Sequence, residues 1–288
     1  MIGLFFLRVF TGLFRIVPFR VVYILSDGLA FLLFTVVGYR KKVVLENLRR
    51  AFPDKNEEEI LRIARLSYRN LTDVTLETVK SIYTPIAEIQ RRCRCLNPEV
   101  LNRYIDKGQT VILTGSHCGN WEYSGLAMPP AVHGPIIGVY KPLTNKGIDR
   151  YLNSRRSRTG LVMVSMDDML RTVRKSTEQP VAIMLLSDQS PSNRKSAHWV
   201  EFLGVDSASL PGADVLARKF NFPVVHYHIN RVRRGFYEIN FSVLCDQPSG
   251  VEEMGITRMF ARTLEAEIRA NPEQWLWSHK RWKIRRDA

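Results

Sequence analysis

The chain has 288 residues, 45% of them hydrophobic and 24% charged, enough for one large domain with a substantial core. Its 42 Lys and Arg outnumber 28 Asp and Glu, and the net charge of +14 predicts attraction to an anionic partner: phospholipid headgroups, a phosphorylated glycolipid, an acidic carrier protein or nucleic acid. The four cysteines, at 93, 95, 118 and 245, form neither a zinc pattern nor a disulfide framework, which fits a reducing compartment.

Met1 to Phe19 is rich in Phe, Leu and Val, with Arg8 and Arg15 seven apart on one helical face, the pattern of a helix lying in a membrane interface. Val21 to Tyr39 is apolar enough to be considered as a span, yet Asp27, Gly28 and Gly38 weaken it, so a monotopic anchor over residues 1–42 is the expectation. Arg40-Lys-Lys then holds the remainder, 43–288, at the cytoplasmic side or at anionic headgroups. Asn56-Glu-Glu-Glu59 is a capping box in an Asn variant and predicts a long helix to about Ile82. From Gln109 the pattern changes to apolar runs at 110–114, 135–140, 161–165, 181–187, 223–229 and 236–244, with helical segments between most of them. This alternation predicts an α/β fold whose mostly parallel sheet is covered by helices, with the N-terminal helices as a membrane-associating layer. Gly235 predicts a hairpin between the last two strands, making the sheet mixed.

Chemistry concentrates in Thr114-Gly-Ser-His-Cys-Gly-Asn-Trp-Glu122, at the end of the apolar segment Val111-Ile-Leu. On one continuous helix His117 and Glu122 would point about 140° apart, so both cannot sit on it. Gly115 and Gly119 permit a sharp turn at His117, and Asn120 is a good N-cap for a helix from Trp121 to Met128 that carries Glu122 in its first turn. Imidazole and carboxylate are then expected to meet, giving a general base that takes a proton from an alcohol near neutral pH. Asp188 closes the run Val181-Ala-Ile-Met-Leu-Leu-Ser and puts a second carboxylate at the end of a buried strand, where it is expected to line the site. His198, His226 and His228 lack a carboxylate at comparable spacing and read as structural, and no segment forms a recognised metal motif. The C-terminal run Trp275-Leu-Trp-Ser-His-Lys-Arg-Trp-Lys-Ile-Arg-Arg286 interleaves aromatics with cations, as suits a headgroup interface, nucleotide stacking or closure of the core.

Gly115-Ser-His-Cys-Gly-Asn-Trp-Glu122 resembles the His-x4-Glu signature of the bacterial lipid A late acyltransferases, the lauroyl and myristoyl transferases, whose relatives include phosphatidylinositol mannoside acyltransferases. Tyr39-Arg-Lys-Lys-Val-Val-Leu-Glu-Asn-Leu-Arg-Arg-Ala-Phe-Pro53 resembles that family's N-terminal signature. Ser187-Asp-Gln, Phe202-Leu-Gly and Pro211-Gly-Ala resemble its downstream blocks, in the expected order. The resemblance implies an enzyme of the bacterial inner membrane, acting at the cytoplasmic face. It would transfer a fatty acyl chain from acyl carrier protein, or from coenzyme A, to a hydroxyl of a membrane glycolipid, with no further cofactor, no metal and no nucleic acid.

It implies His117 and Glu122 as the catalytic pair, and Arg156, Asp188 and Asn120 as residues toward the substrate. Arg156 stands where the family has an arginine important for activity, although Arg155 or Arg158 would fill that role after a one-turn shift. Many relatives carry a further Asp or Arg where this chain has Gln189 and Ser190. Direct attack by the acceptor oxygen is expected. An acyl-enzyme on Ser116 or Cys118 is the competing route, disfavoured because neighbours on an extended segment point to opposite sides. Acylation of a lysophospholipid, an aminolipid or a phosphatidylinositol mannoside is the alternative within the enzyme class. Outside it stands a basic protein that binds membrane lipid or nucleic acid.

Overall fold

Residues 2–175 and 179–286 are described by a computed structural model. The chain opens with helices α1 (Ile2–Phe14) and α2 (Phe19–Phe31), the second prolonged by a π-helical turn at Leu32–Val36. Helix α3 (Lys41–Ala51) leads to the long α4 (Glu57–Ser81). The capping box at its start is present: Asn56 Oδ1 accepts from the Glu59 N–H at 3.0 Å, and the Asn56 N–H donates to Glu59 at 3.1 Å. Then follow α5 (Ile86–Arg92), β1 (Cys93–Cys95), α6 (Glu99–Ile105), β2 (Val111–Gly115), α7 (Trp121–Ala127), β3 (Ile136–Tyr140), α8 (Lys146–Arg156), β4 (Leu161–Ser165) and α9 (Met169–Lys175). The remainder comprises β5 (Ala182–Leu186), β6 (His198–Phe202), β7 (Val205–Ser209), α10 (Gly212–Phe220), β8 (Val224–Arg233), β9 (Phe236–Cys245) and α11 (Gly255–Ala270).

Seven strands form one sheet in the order β1-β9-β8-β2-β5-β3-β4, parallel throughout except for the β8–β9 hairpin. All five residues of β2 are buried, as a central strand covered by helices on both faces requires. One face packs beneath α5, α6 and α7; the other meets α10. The alternation of apolar runs and helices thus gives the expected mixed, mostly parallel sheet. Two features go beyond that expectation. Strand β1 is three residues long and pairs with β9, and β6 and β7 form a separate antiparallel hairpin beside α11. Parallel pairing brings the C-terminal ends of β2, β5 and β3 to one edge of the sheet, the end of an α/β fold at which ligands bind.

A third apolar cluster joins α3 and α4 to the C-terminal segment. Trp275, Trp277 and Trp282 are buried in it, with Trp275 and Trp277 edge to face at 4.7 Å between centroids. Burial removes these indoles from any headgroup interface: the aromatic-cationic run closes the core. Asn47 of α3 fixes it by donating to the Trp277 carbonyl at 2.9 Å and the His279 carbonyl at 2.8 Å.

Helix α2 is tied to the body along one polar stripe. Ser26 donates to Asp73 of α4 at 2.6 Å, and Tyr23 donates to Glu77 at 2.9 Å. Asp27 receives Arg69 at 2.8 Å and Arg234, from the β8–β9 turn, at 2.8 Å. The helix with its π-helical extension, Phe19–Val36, is long and apolar enough to cross a membrane by length and composition. Tyr23, Ser26 and Asp27 nonetheless find partners on α4 and the hairpin.

Candidate active site

Strand β2 runs directly into the turn that carries His117, and two glycines permit the path. A Cβ on Gly115 would lie 2.1 Å from Tyr227 Cζ, while Gly119 has φ +56° and its Cβ would meet the Ile229 carbonyl oxygen at 2.8 Å. Any larger residue at either position collides with β8. Asn120 then caps α7, its Oδ1 accepting from the Tyr123 N–H at 2.9 Å.

The carboxylate that meets His117 is Asp188. Its Oδ1 lies 2.7 Å from His117 Nδ1, and its Oδ2 accepts the His117 backbone N–H at 3.1 Å and the Trp275 indole N–H at 3.0 Å. The expected hydrogen bond between His117 and Glu122 is not found among the described residues; Glu122 is instead held in a two-pronged pair by Arg156, at 2.6 Å and 3.0 Å. The reason is positional. β5 lies beside β2 in register Gly115↔Leu186, so Asp188, two residues beyond, faces His117, two residues beyond Gly115. Glu122 points from α7 toward α8.

Contact with substrate is the expectation for both Asp188 and Asn120, and burial corrects both. Asp188 is 3% exposed, with its oxygens committed to His117 and Trp275. Asn120 is fully buried between the Tyr123 N–H and Glu77, to which its amide donates at 2.6 Å. The three candidate arginines have different partners: Arg156 takes Glu122, whereas Arg158 donates to the Ser81 carbonyl and Arg155 stacks on Tyr83 and Tyr151.

Electrostatics follow this wiring. Burial disfavours the imidazolium of His117, but the charge and hydrogen bond of Asp188, with Glu122 adding, hold its pKa above the ordinary histidine value. Burial likewise raises Asp188, yet His117 and the donors around it outweigh this and lower its pKa. With Nδ1 bound to Asp188, Nε2 is left as the nitrogen able to exchange a proton with a ligand, and the side-chain amide nitrogen of Gln189 lies 3.3 Å from it. Trp121 packs edge to face on the ring at 5.2 Å. Cys118 is buried and its thiol pushed well above the ordinary range by burial, and Ser116 is buried too, so neither is presented as a nucleophile.

Beside this constellation opens a pocket of about 210 Å³. His117, Glu122 and Arg156 form its polar end, and Leu126, Leu161, Met163, Met184 and Leu186 its apolar lining. Gly138 keeps it clear: a Cβ there would press on Met163 Sδ at 3.3 Å and Met184 Cε at 3.4 Å. An imidazole, a guanidinium and an apolar recess therefore share one cavity, which suits a reaction centre attached to a long hydrocarbon.

The three histidines read as structural have partners within the protein. His198 bonds Thr257 at 3.0 Å, and Glu267 of α11 lies 2.8 Å from His226 and 3.0 Å from His228, a carboxylate partner that no local spacing announced. Among the described residues no group of three or more His, Cys, Asp or Glu is arranged to hold a metal ion.

The chain is 26% identical to the lipid A biosynthesis lauroyltransferase of Escherichia coli K12 and 22% identical to its palmitoleoyltransferase, each alignment covering 93% of this chain and 87% of the relative. It is 26% identical to a lipid A biosynthesis acyltransferase of Haemophilus influenzae, over 87% of this chain and 80% of that protein. The family model for bacterial lipid A biosynthesis acyltransferases matches residues 1–284, and the chain belongs to that family of acyltransferase enzymes.

Proposed function

We propose that this enzyme moves a fatty acyl chain from an acyl thioester to a hydroxyl of a lipid A precursor at the cytoplasmic face of the inner membrane, with His117 as general base. The observation that carries the reading is the buried Asp188–His117 hydrogen bond at 2.7 Å beside an apolar pocket. Asp188 fixes the imidazole and offsets its charge. The acceptor O–H gives its proton to Nε2 as the oxygen attacks the thioester carbon, and the C–S bond breaks. The leaving thiolate then takes the proton back from His117. Arg156, held by Glu122 through Nε and Nη2, supplies a fixed positive charge for the oxygen that becomes negative in the transition state. Glu122 thus serves the reaction by aiming Arg156 rather than by orienting the base. The apolar lining takes the acyl chain, and the basic surface fits an acidic carrier protein as donor.

Acyl transfer from carrier-protein and coenzyme A thioesters to tetra-acylated and penta-acylated lipid A precursors tests this directly. Wild type should transfer, and folded His117→Ala and Asp188→Ala variants should lose about 10²- to 10⁴-fold in kcat. Undiminished transfer by His117→Ala would remove it as the base. Transfer only to a lysophospholipid or another lipid would move the acceptor while leaving the chemistry in place.

A further inference from the structure

Glu77 lies in α4, outside the pocket, and is fully buried. A carboxylate is a costly occupant of such a volume unless donors surround it. Here three do, each from a different element: Tyr23 of α2 at 2.9 Å, Tyr237 of β9 at 2.8 Å and the side-chain amide of Asn120 at 2.6 Å. The last contact decides the orientation of Asn120. Facing a carboxylate, the amide must present its NH₂ end, so its oxygen is turned to the Tyr123 N–H and caps α7. Asn120 is three residues from His117 and two from Glu122, at the hinge between them.

The imidazole and the Glu122–Arg156 pair are therefore anchored independently. Asp188, beyond the end of β5, fixes His117. Glu77, on α4, fixes the start of α7 and with it Glu122. The separation of base and guanidinium across the pocket depends on both anchors being in place. We propose that Glu77 is a positioning residue for acyl transfer, acting through the Asn120 amide to set the 117–122 turn and, through Tyr23, tying that turn to the apolar helix α2. The inference rests on the acyl-transfer reading with His117 as base.

The test exchanges donor and acceptor. In Glu77→Gln the introduced carbonyl oxygen can still face Asn120 and Tyr237 while its NH₂ donates to the Tyr23 oxygen, so this variant alone should keep kcat within about threefold; Glu77→Leu removes both oxygens and leaves the Asn120 amide without its acceptor. In Asn120→Asp, two carboxylates meet in a buried space. In the double variant Glu77→Gln/Asn120→Asp, the introduced amide on α4 donates to the introduced carboxylate, whose other oxygen still caps α7, since Asp is as good an N-cap as Asn. Kinetics of the full chain with an acyl thioester and a glycolipid acceptor, with Tm alongside, should show kcat lower by about 10- to 100-fold in Glu77→Leu and in Asn120→Asp. KM should stay within about twofold, and kcat should recover to within about threefold in the double variant.

Should Glu77→Leu not fold, Asn120→Ser decides, because its hydroxyl still caps Tyr123 but offers Glu77 no amide; the same fall in kcat is expected. Folded Glu77→Leu or Asn120→Asp with wild-type kcat would overturn the proposal. So would a double variant no better than Asn120→Asp, or a loss confined to Tm. Wild type inactive on every acceptor, or His117→Ala fully active, would overturn the acyl-transfer reading itself and this proposal with it, and the His117→Ala arm tells the two failures apart.

Discussion

At His117 the fold favours the protonated imidazole, and on the proposed mechanism this sets opposite signs for activity and stability. The species that would act as base is the neutral imidazole. Because Asp188 outweighs burial and lifts the pKa, the acid limb of kcat/KM should lie above the ordinary histidine value of about 6.5. For stability the same raised pKa gives a contribution that is complete below the unfolded value and lost as pH rises through the folded one. Asp188, whose pKa is lowered, contributes above its unfolded value and loses that contribution as pH falls through its folded one. Asp188→Asn should move the acid limb to lower pH, since burial then acts on His117 without that carboxylate, and reduce kcat by about 10²- to 10⁴-fold. An unmoved limb in the pH profile would mean that another group sets the charge of the base. Cys118→Ala should keep wild-type kcat and cost about 1 kcal/mol in denaturant unfolding. Loss of transfer in that folded variant would revive the acyl-enzyme. His117 and Glu122 are readable in the sequence because glycines and a capping residue lie within five positions. Their true partners are not, because Asp188 and Arg156 stand 71 and 34 residues away and meet them only through strand pairing and helix packing.

Among the elements, α2 shows most clearly what periodicity reveals and what it hides. Its apolar character is plain, and Asp27 argues against a simple span. That Tyr23, Ser26 and Asp27 each have a partner in α4 or the hairpin follows from tertiary arrangement alone. Asp73 is the centre of this seam: wholly buried, it accepts Ser26 at 2.6 Å, Arg231 at 2.6 Å and Arg234 at 2.7 Å. Removing one member leaves buried charge uncompensated, so Asp73→Ala should destabilise by about 3–5 kcal/mol in denaturant unfolding and loosen α2, seen as faster proteolysis near residues 15–18. Neutral behaviour would show that water enters the seam and replaces the carboxylate. The central strand β2 is visible as an apolar run because burial on both faces leaves no alternation to misread, whereas the three-residue β1, Cys93–Cys95, forms no run at all. The β6–β7 hairpin escapes notice, since its runs, His198–Phe202 and Val205–Ser209, are short and half polar. The three tryptophans of the C-terminal segment mislead for a related reason: cations beside aromatics describe a headgroup belt and a capped core equally well, and only burial separates them.

Viewed whole, the molecule puts its polar seam inward and an apolar sheet of side chains outward. Phe5, Phe6, Phe10, Leu13 and Ile16 of the first helical stretch are exposed, as are Ile24, Leu25 and Phe31 of α2. Phe6 is 64% and Ile24 69% exposed, an unusual cost for a protein facing water alone. Such a face is what an interfacial helix pair buries in a bilayer, and the net charge of +14 adds attraction to anionic headgroups. The two contributions separate experimentally. Burying a large apolar side chain contributes about 2 kcal/mol, so Phe6→Asp with Ile24→Asp should weaken sedimentation with anionic vesicles by roughly 10³-fold, with Tm unchanged because neither side chain belongs to the core. Raising salt should weaken wild-type binding by screening the charges while leaving the apolar part. Transfer to an acceptor embedded in vesicles should fall with binding, whereas turnover of an acceptor dispersed in detergent should persist, because the Asp188–His117 and Glu122–Arg156 contacts are untouched. If the double variant still bound vesicles fully at high salt, the outward apolar face would not be the docking surface, and the attachment would have to be sought elsewhere on the chain.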